Sequence, residues 1–153
     1  QTQEHAADLK ATIAWARATA KVPVWLVGTS RGTQSAAYAA TVLQGADAPD
    51  GVVLTATILA DDKQRPVPAM PLEQIKVPVL VVHHQQDGCS YCAYSEIPNL
   101  MAKLTHTPRS HLITATGGKN QGDACAAFAH HGFNGLEADV VGQMADWILA
   151  PAR

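Results

Sequence analysis

The chain has 153 residues, 47% of them hydrophobic and 16% charged, which fits one compact domain with a real core and excludes a disordered chain. With 11 Lys and Arg against 13 Asp and Glu, the formal charge is −2, far from the basic footprint of a nucleic-acid binder. No apolar stretch approaches the roughly 18–20 residues of a membrane-spanning helix, so no membrane partner is expected. The polar start QTQEHAADLK lacks a charged segment leading into an apolar one, as a signal peptide would have. Because it begins at Gln1 rather than Met, the chain is expected to be a processed or truncated product.

From the N-terminus, Ala6, Leu9, Ile13, Ala16 and Ala20 recur at steps of three and four and predict a helix over residues 4–20, ended by Lys21 and Pro23. Val22 to Val27 is an apolar run of the kind a parallel strand buried on both faces needs, with Pro23 tolerated at its start. An Ala-rich helix over 31–43 follows, closed by Gly45 and the turn residues 47–51. The unit recurs. Val52 to Leu59 reads as a strand, then a Pro-rich loop from Ala60 to Pro71, then a strand from Val77 to His83. A helix is expected around Glu96 to Leu104 and a strand over His111 to Ala115. Residues 116–134 are Gly-rich and irregular, and Leu136, Val140, Met144 and Ile148 mark a last helix. Strands alternating with helices predict an α/β fold, a parallel sheet of about four strands with helices on both faces.

Within that frame, GTSRG at 28–32 falls where the first strand gives way to a helix. A Gly-x-Ser-x-Gly there is the nucleophile-elbow pattern. The turn is so sharp that Gly28 and Gly32 are both expected to lack room for a side chain, while Ser30 projects beyond the strand. The Arg31 N–H, opening the next helix, would face the same place and could hold an oxyanion. The plain alternative is an ordinary strand-to-helix turn with Ser30 as an N-cap.

Chain order separates the two. A serine hydrolase of this architecture takes its acid and its histidine, in that order, from loops after later strands. Asp87 follows the third strand in VPVLVVHHQQDG, and His131 follows the fourth in AHHGFNG. Both lie at the carboxyl edge of the sheet, where sites collect. A turn-forming Asp-Gly is the bland account of Asp87, but the joint order favours a Ser30–Asp87–His131 triad.

The stretches VPVWLVGTSRGTQSAA, VPVLVVHHQQDGC and HHGFNGLEADVV together resemble the C-terminal half of an α/β-hydrolase of the bacterial esterase-like branch. The resemblance implies Ser30 as nucleophile, His131 as general base and then acid, and Asp87 as the orienting carboxylate. It favours His131 over His130, because the family histidine directly precedes Gly-Phe, and it implies a small ester substrate and no cofactor. In the family fold the elbow follows the fifth of eight strands, whereas here it follows the first. The oxyanion loop with its second N–H donor is therefore expected to be missing, a loss worth on the order of 10²–10³ in rate. The first strand is likewise expected to have an exposed edge, completed by a homodimer partner or a missing N-terminal half. A non-catalytic hydrolase scaffold kept for binding or assembly is the alternative function.

If the triad closes, the loops carrying Cys89 and Cys125 meet, and the resemblance implies that these two form a disulfide. The bridge would leave Cys92 free and argue for a periplasmic or secreted location. Two other readings of the cysteines stay open. CSYC between strand and helix has thioredoxin-like spacing, and Cys89, Cys92, Cys125 and His130 or His131 form a possible zinc set, although no metal is the favoured account. His83 and His84 read as hydrogen-bonded scaffolding, and His5, His106 and His111 as surface or packing residues. Arg31 could clamp an acidic loop or a substrate carboxylate. Asp61 and Asp62 are fallback positions for the acid, and Trp15, Trp25 and Trp147 are expected to pack in the core or between helices.

Overall fold

The computed structural model describes residues 2–61 and 65–150. Helix α1 (Gln3–Ala20) is capped by the Thr2 side chain on the His5 N–H and ends at Lys21, whose φ of 54° is left-handed. Strand β1 (Trp25–Thr29) leads through the elbow into α2 (Arg31–Val42). Strand β2 (Gly51–Thr55), strand β3 (Val79–His84), helix α3 (Ile97–Ala102), strand β4 (Ser110–Ala115) and helix α4 (Glu137–Leu149) follow. The four strands are all parallel and lie in the order β1-β2-β3-β4. The architecture is the α/β sheet with helices on both faces that the sequence predicts.

The period-two alternation of side chains divides the core. Val52, Leu54, Val79 and Val81 face α2 and α3, meeting Ala36, Ala37, Ala40, Ile97 and Leu100. Val53, Leu80 and Val82 point the other way, onto Val140 and the partly buried Met144, Trp147 and Ile148 of α4. Strands β2 and β3 are buried along their whole length, which is why their sequences are nearly unbroken apolar runs. Each such Leu or Val removed from water contributes roughly 1.5–3 kcal/mol.

Three expectations need correction. The first strand starts at Trp25 rather than Val22, because Pro23 has no N–H for the ladder and Val22 is exposed; it then runs on through Gly28 and Thr29. The second strand stops at Thr55, since Ala56 turns the chain with φ 46°. Trp15 is 69% exposed and packs in no core. Trp25 and Trp147 do pack, edge to face with centroids 5.8 Å apart, and the Trp25 ring lies over its cross-strand partner Gly51. A Cβ at Gly51 would fall 2.3 Å from that ring.

Candidate active site

Ser30, Asp87 and His131 come from the loops after β1, β3 and β4, and they converge at the carboxyl edge of the sheet. Ser30 sits at φ 51°, ψ −120°, a conformation that costs a non-glycine residue on the order of 1–3 kcal/mol. Its surroundings hold it there. The Ser30 N–H donates to Thr55 O at 3.0 Å, and its carbonyl accepts the Thr33 N–H at 2.9 Å and the Thr33 hydroxyl at 2.6 Å. The two glycines of the elbow are not equivalent. A Cβ on Gly28 would lie 2.4 Å from Gly32 O, whereas one on Gly32 meets nothing within 4 Å. Only Gly28 is required by space; Gly32 matters because its backbone comes so close to Gly28.

The Ser30 Oγ lies 3.0 Å from His131 Nε2, and His131 Nδ1 lies 2.9 Å from Asp87 Oδ2. The Asp87 side chain is wholly buried and that of His131 nearly so. Asp87 Oδ1 also accepts the Cys89 N–H at 2.9 Å. With Nδ1–H donating to Asp87, Nε2 is left to accept the Ser30 hydroxyl. His131 stands where it does because Gly132 lets the loop fold on itself: a Cβ at Gly132 would fall 2.1 Å from Ala127 O. His130 is directed elsewhere. It stacks on His84 at 4.2 Å, and its Nδ1 faces Gln86 O.

The paired strand-end histidines are scaffolding. His83 Nδ1 accepts the Thr57 N–H, so Nε2 carries the hydrogen that donates to Cys92 O at 2.7 Å. That same Nε2 lies 3.5 Å from Asp87 Oδ2. Burial holds His83 below the ordinary histidine pKa, against the upward pull of the Cys92 carbonyl and Asp87. The approach is therefore a neutral N–H near a carboxylate rather than an ion pair. His84 accepts the Gln86 N–H and donates to Gly117 O, and burial lowers its pKa too.

Arg31 opens α2, where a helix leaves its first N–H groups without intrahelical acceptors, so its amide N–H is available beside Ser30. Its guanidinium bonds Asp61 and lies 5.0 Å from the Tyr91 ring centre, clamping an acidic loop. Asp61 is thereby committed to Arg31, and Asp87 is the acid that meets the histidine; Asp62 lies outside the described residues. Cys89 and Cys125 are disulfide-bonded, so neither a thioredoxin-like Cys89–Cys92 pair nor the zinc set is formed. Cys92 is free and buried, and desolvation first, then Asp87, push its thiol pKa up to about 12. The ligating atoms of Cys89, Cys92 and His131 lie within 4.8 Å of one another. A groove of about 290 Å³ borders the site beside Thr29 and Gly132, with exposed Val27 and Val141 on its walls.

Thr33, Thr55 and Gly132 support the site without standing out as supports in the sequence, whereas His83 is the hydrogen-bonded scaffolding that the sequence predicts. The Gly132 signal was present, in the His-Gly-Phe order. The threonines gave none, because β1–β2 register alone brings Thr55 opposite Thr29.

No protein-family model matches the sequence, and no curated protein matches it significantly. Solved structures do resemble it. A dienelactone hydrolase from Anabaena variabilis superposes over 97% of this chain with TM-score 0.60 and 20% identity. An acetyl ester-xyloside bifunctional hydrolase from Caldicellulosiruptor lactoaceticus covers 93% of it with TM-score 0.57 and 15% identity. The esterase domain of a Rhodothermus marinus protein covers 90% with TM-score 0.53 and 15% identity. This chain spans 60%, 61% and 66% of those three chains, respectively. At such identities the likeness speaks for the fold, and the fold is α/β-hydrolase-like.

Proposed function

We propose that the protein is a serine hydrolase that cleaves small carboxylic esters by acyl transfer, with Ser30 as nucleophile, His131 as base and acid, and Asp87 as the orienting carboxylate. The observation that carries this reading is the continuous relay from Ser30 Oγ through both ring nitrogens of His131 to buried Asp87. As Ser30 attacks the ester carbonyl, its proton passes to His131 Nε2, and the imidazolium is stabilised through Nδ1–H by Asp87. The developing oxyanion is held by the Arg31 N–H and the positive end of the α2 dipole. The leaving alcohol takes the proton from Nε2, and water, deprotonated by the same nitrogen, releases the acyl group from Ser30. No step calls on a cofactor.

Hydrolysis of a short-chain aryl ester tests the reading. Ser30→Ala and His131→Gln should each cost about 10⁶ in kcat, with no further loss in the double variant. Asp87→Asn should cost about 10⁴, because it leaves the ring but misorients its proton. A well-folded chain whose turnover is the same with and without Ser30 would instead support a non-catalytic scaffold. The same reading assigns the outer edge of β1, which pairs only with β2 among the described residues, to a further hydrolase segment or a second copy. A stable 16.1 kDa monomer in light scattering would exclude the second copy.

A further inference from the structure

The buried sulfurs beside the triad have no part in ester cleavage. Cys89 and Cys92 are brought together by a tight turn in which the Cys92 N–H donates to Cys89 O at 2.9 Å. This is the C-x-x-C spacing that sets two sulfurs on one metal ion. Cys89 Sγ, Cys92 Sγ and a ring nitrogen of His131 already lie within 4.8 Å of one another. Tetrahedral zinc with Zn–S bonds of about 2.3 Å separates its sulfurs by about 3.8 Å, so small side-chain movements suffice. What prevents binding is the bond from Cys89 to Cys125. Cys125 is exposed, so that bond can be reached from solvent.

We propose that reducing the Cys89–Cys125 bridge creates a zinc site from Cys89, Cys92 and His131, with Cys125 within reach as a fourth ligand, and that the metal switches the active site off. A thiol reductant supplies the two electrons. Two R–SH become R–S–S–R while the protein disulfide becomes two thiols, and each thiol that then ligates the cation gives up one proton. His131 is caught in this exchange. Its Nδ1 faces Asp87 and its Nε2 faces Ser30. Whichever nitrogen takes the metal, one of those two hydrogen bonds is lost, and Ser30 loses a working base. A small-molecule disulfide would take the two electrons back, becoming two R–SH as Cys89 and Cys125 rejoin, and the ion would be expelled. The metal site itself stands on the sulfur and imidazole geometry; only its effect on catalysis rests on the proposed hydrolase function.

The test uses Co²⁺ as a spectroscopic substitute for zinc, added to the protein before and after reduction with a non-chelating phosphine. Reduced protein should bind one Co²⁺ with a thiolate-to-cobalt charge-transfer band, and oxidised protein none. Cys92→Ser should weaken binding by at least the roughly 10–100-fold that even outer partners of a metal site are worth. Zn²⁺ should suppress fluorophosphonate labelling of the reduced protein only, and a chelator should restore it. Reduced protein that keeps its circular dichroism but gives no band overturns the proposal, as does a band unchanged in Cys92→Ser. If reduction unfolds the chain, Cys125→Ser without reductant replaces it, and failure of that variant to bind Co²⁺ is equally decisive. Cobalt binding in a chain that fluorophosphonate never labels would keep the metal site and remove the hydrolase reading; labelling without cobalt binding would do the reverse.

Discussion

Substituting alanine at each glycine of the elbow should give opposite results, although the motif treats the two as a pair. At residue 28 the new methyl falls 2.4 Å from Gly32 O, 2.7 Å from Gly32 C and 2.9 Å from Thr33 Cα. All three are backbone atoms, so no side chain can swing aside. Reaching ordinary contact at 3.4 Å means parting β1 from the start of α2 by about 1 Å. Overpacking of this kind costs about 1–3 kcal/mol. The same shift displaces Ser30 from His131, and a misplacement of about 1 Å at a reacting group can cost 10² in rate. At residue 32 the methyl meets nothing within 4 Å, and the position lies inside α2. There Ala should stabilise by up to about 1 kcal/mol through helix propensity. Urea denaturation of both variants, with the rate of fluorophosphonate labelling of Gly28→Ala, measures the contrast. A Gly28→Ala protein with wild-type stability and labelling, or a Gly32→Ala protein as unstable as Gly28→Ala, would mean that backbone crowding at Gly28 does not hold the elbow.

His83 and His84 make stability depend on pH. Burial lowers both pKa values in the fold, so below the unfolded value of about 6.5 the unfolded chain binds the extra protons. Stability should be full above that pH and fall on acidification, by up to about 1.4 kcal/mol per pH unit for each histidine; urea midpoints that rise on acidification would contradict this. Reducing the Cys89–Cys125 bridge opens a loop of 36 residues and should cost about 4 kcal/mol, or roughly 10 °C in Tm, read by calorimetry with and without reductant. Cys92, buried and with its pKa pushed up to about 12, should resist iodoacetamide at neutral pH until urea unfolds the chain, which intact mass will show. Gly132→Ala, whose methyl would fall 2.1 Å from Ala127 O, should displace His131 and depress labelling of Ser30 while Cys89 and Cys125 stay bonded.

Much of the site could be read from the sequence because its parts are signalled locally. The elbow announces itself in five consecutive residues, and the acid and histidine follow strands whose apolar runs are plain. Their meeting follows from parallel topology, which puts every strand's carboxyl end on one edge. Signals that depend on a face rather than a run were harder. Trp15 follows buried Ile13 by two residues, about 200° around α1, and so points to solvent despite its size. Hydrophobicity marks Val22 as the start of β1, while the missing N–H of Pro23 delays the ladder to Trp25. In the sequence Gly32 reads as sterically required because its motif partner is. The difference lies in where the helix carbonyl points, which no local spacing encodes.

An activated Ser30 should react with a fluorophosphonate, and intact mass after exposure to the reagent reads that reaction. One adduct per chain is expected, mapped to Ser30, absent in Ser30→Ala and strongly slowed in His131→Gln. A folded protein that takes no adduct, or takes it at the same rate without His131, would contradict it.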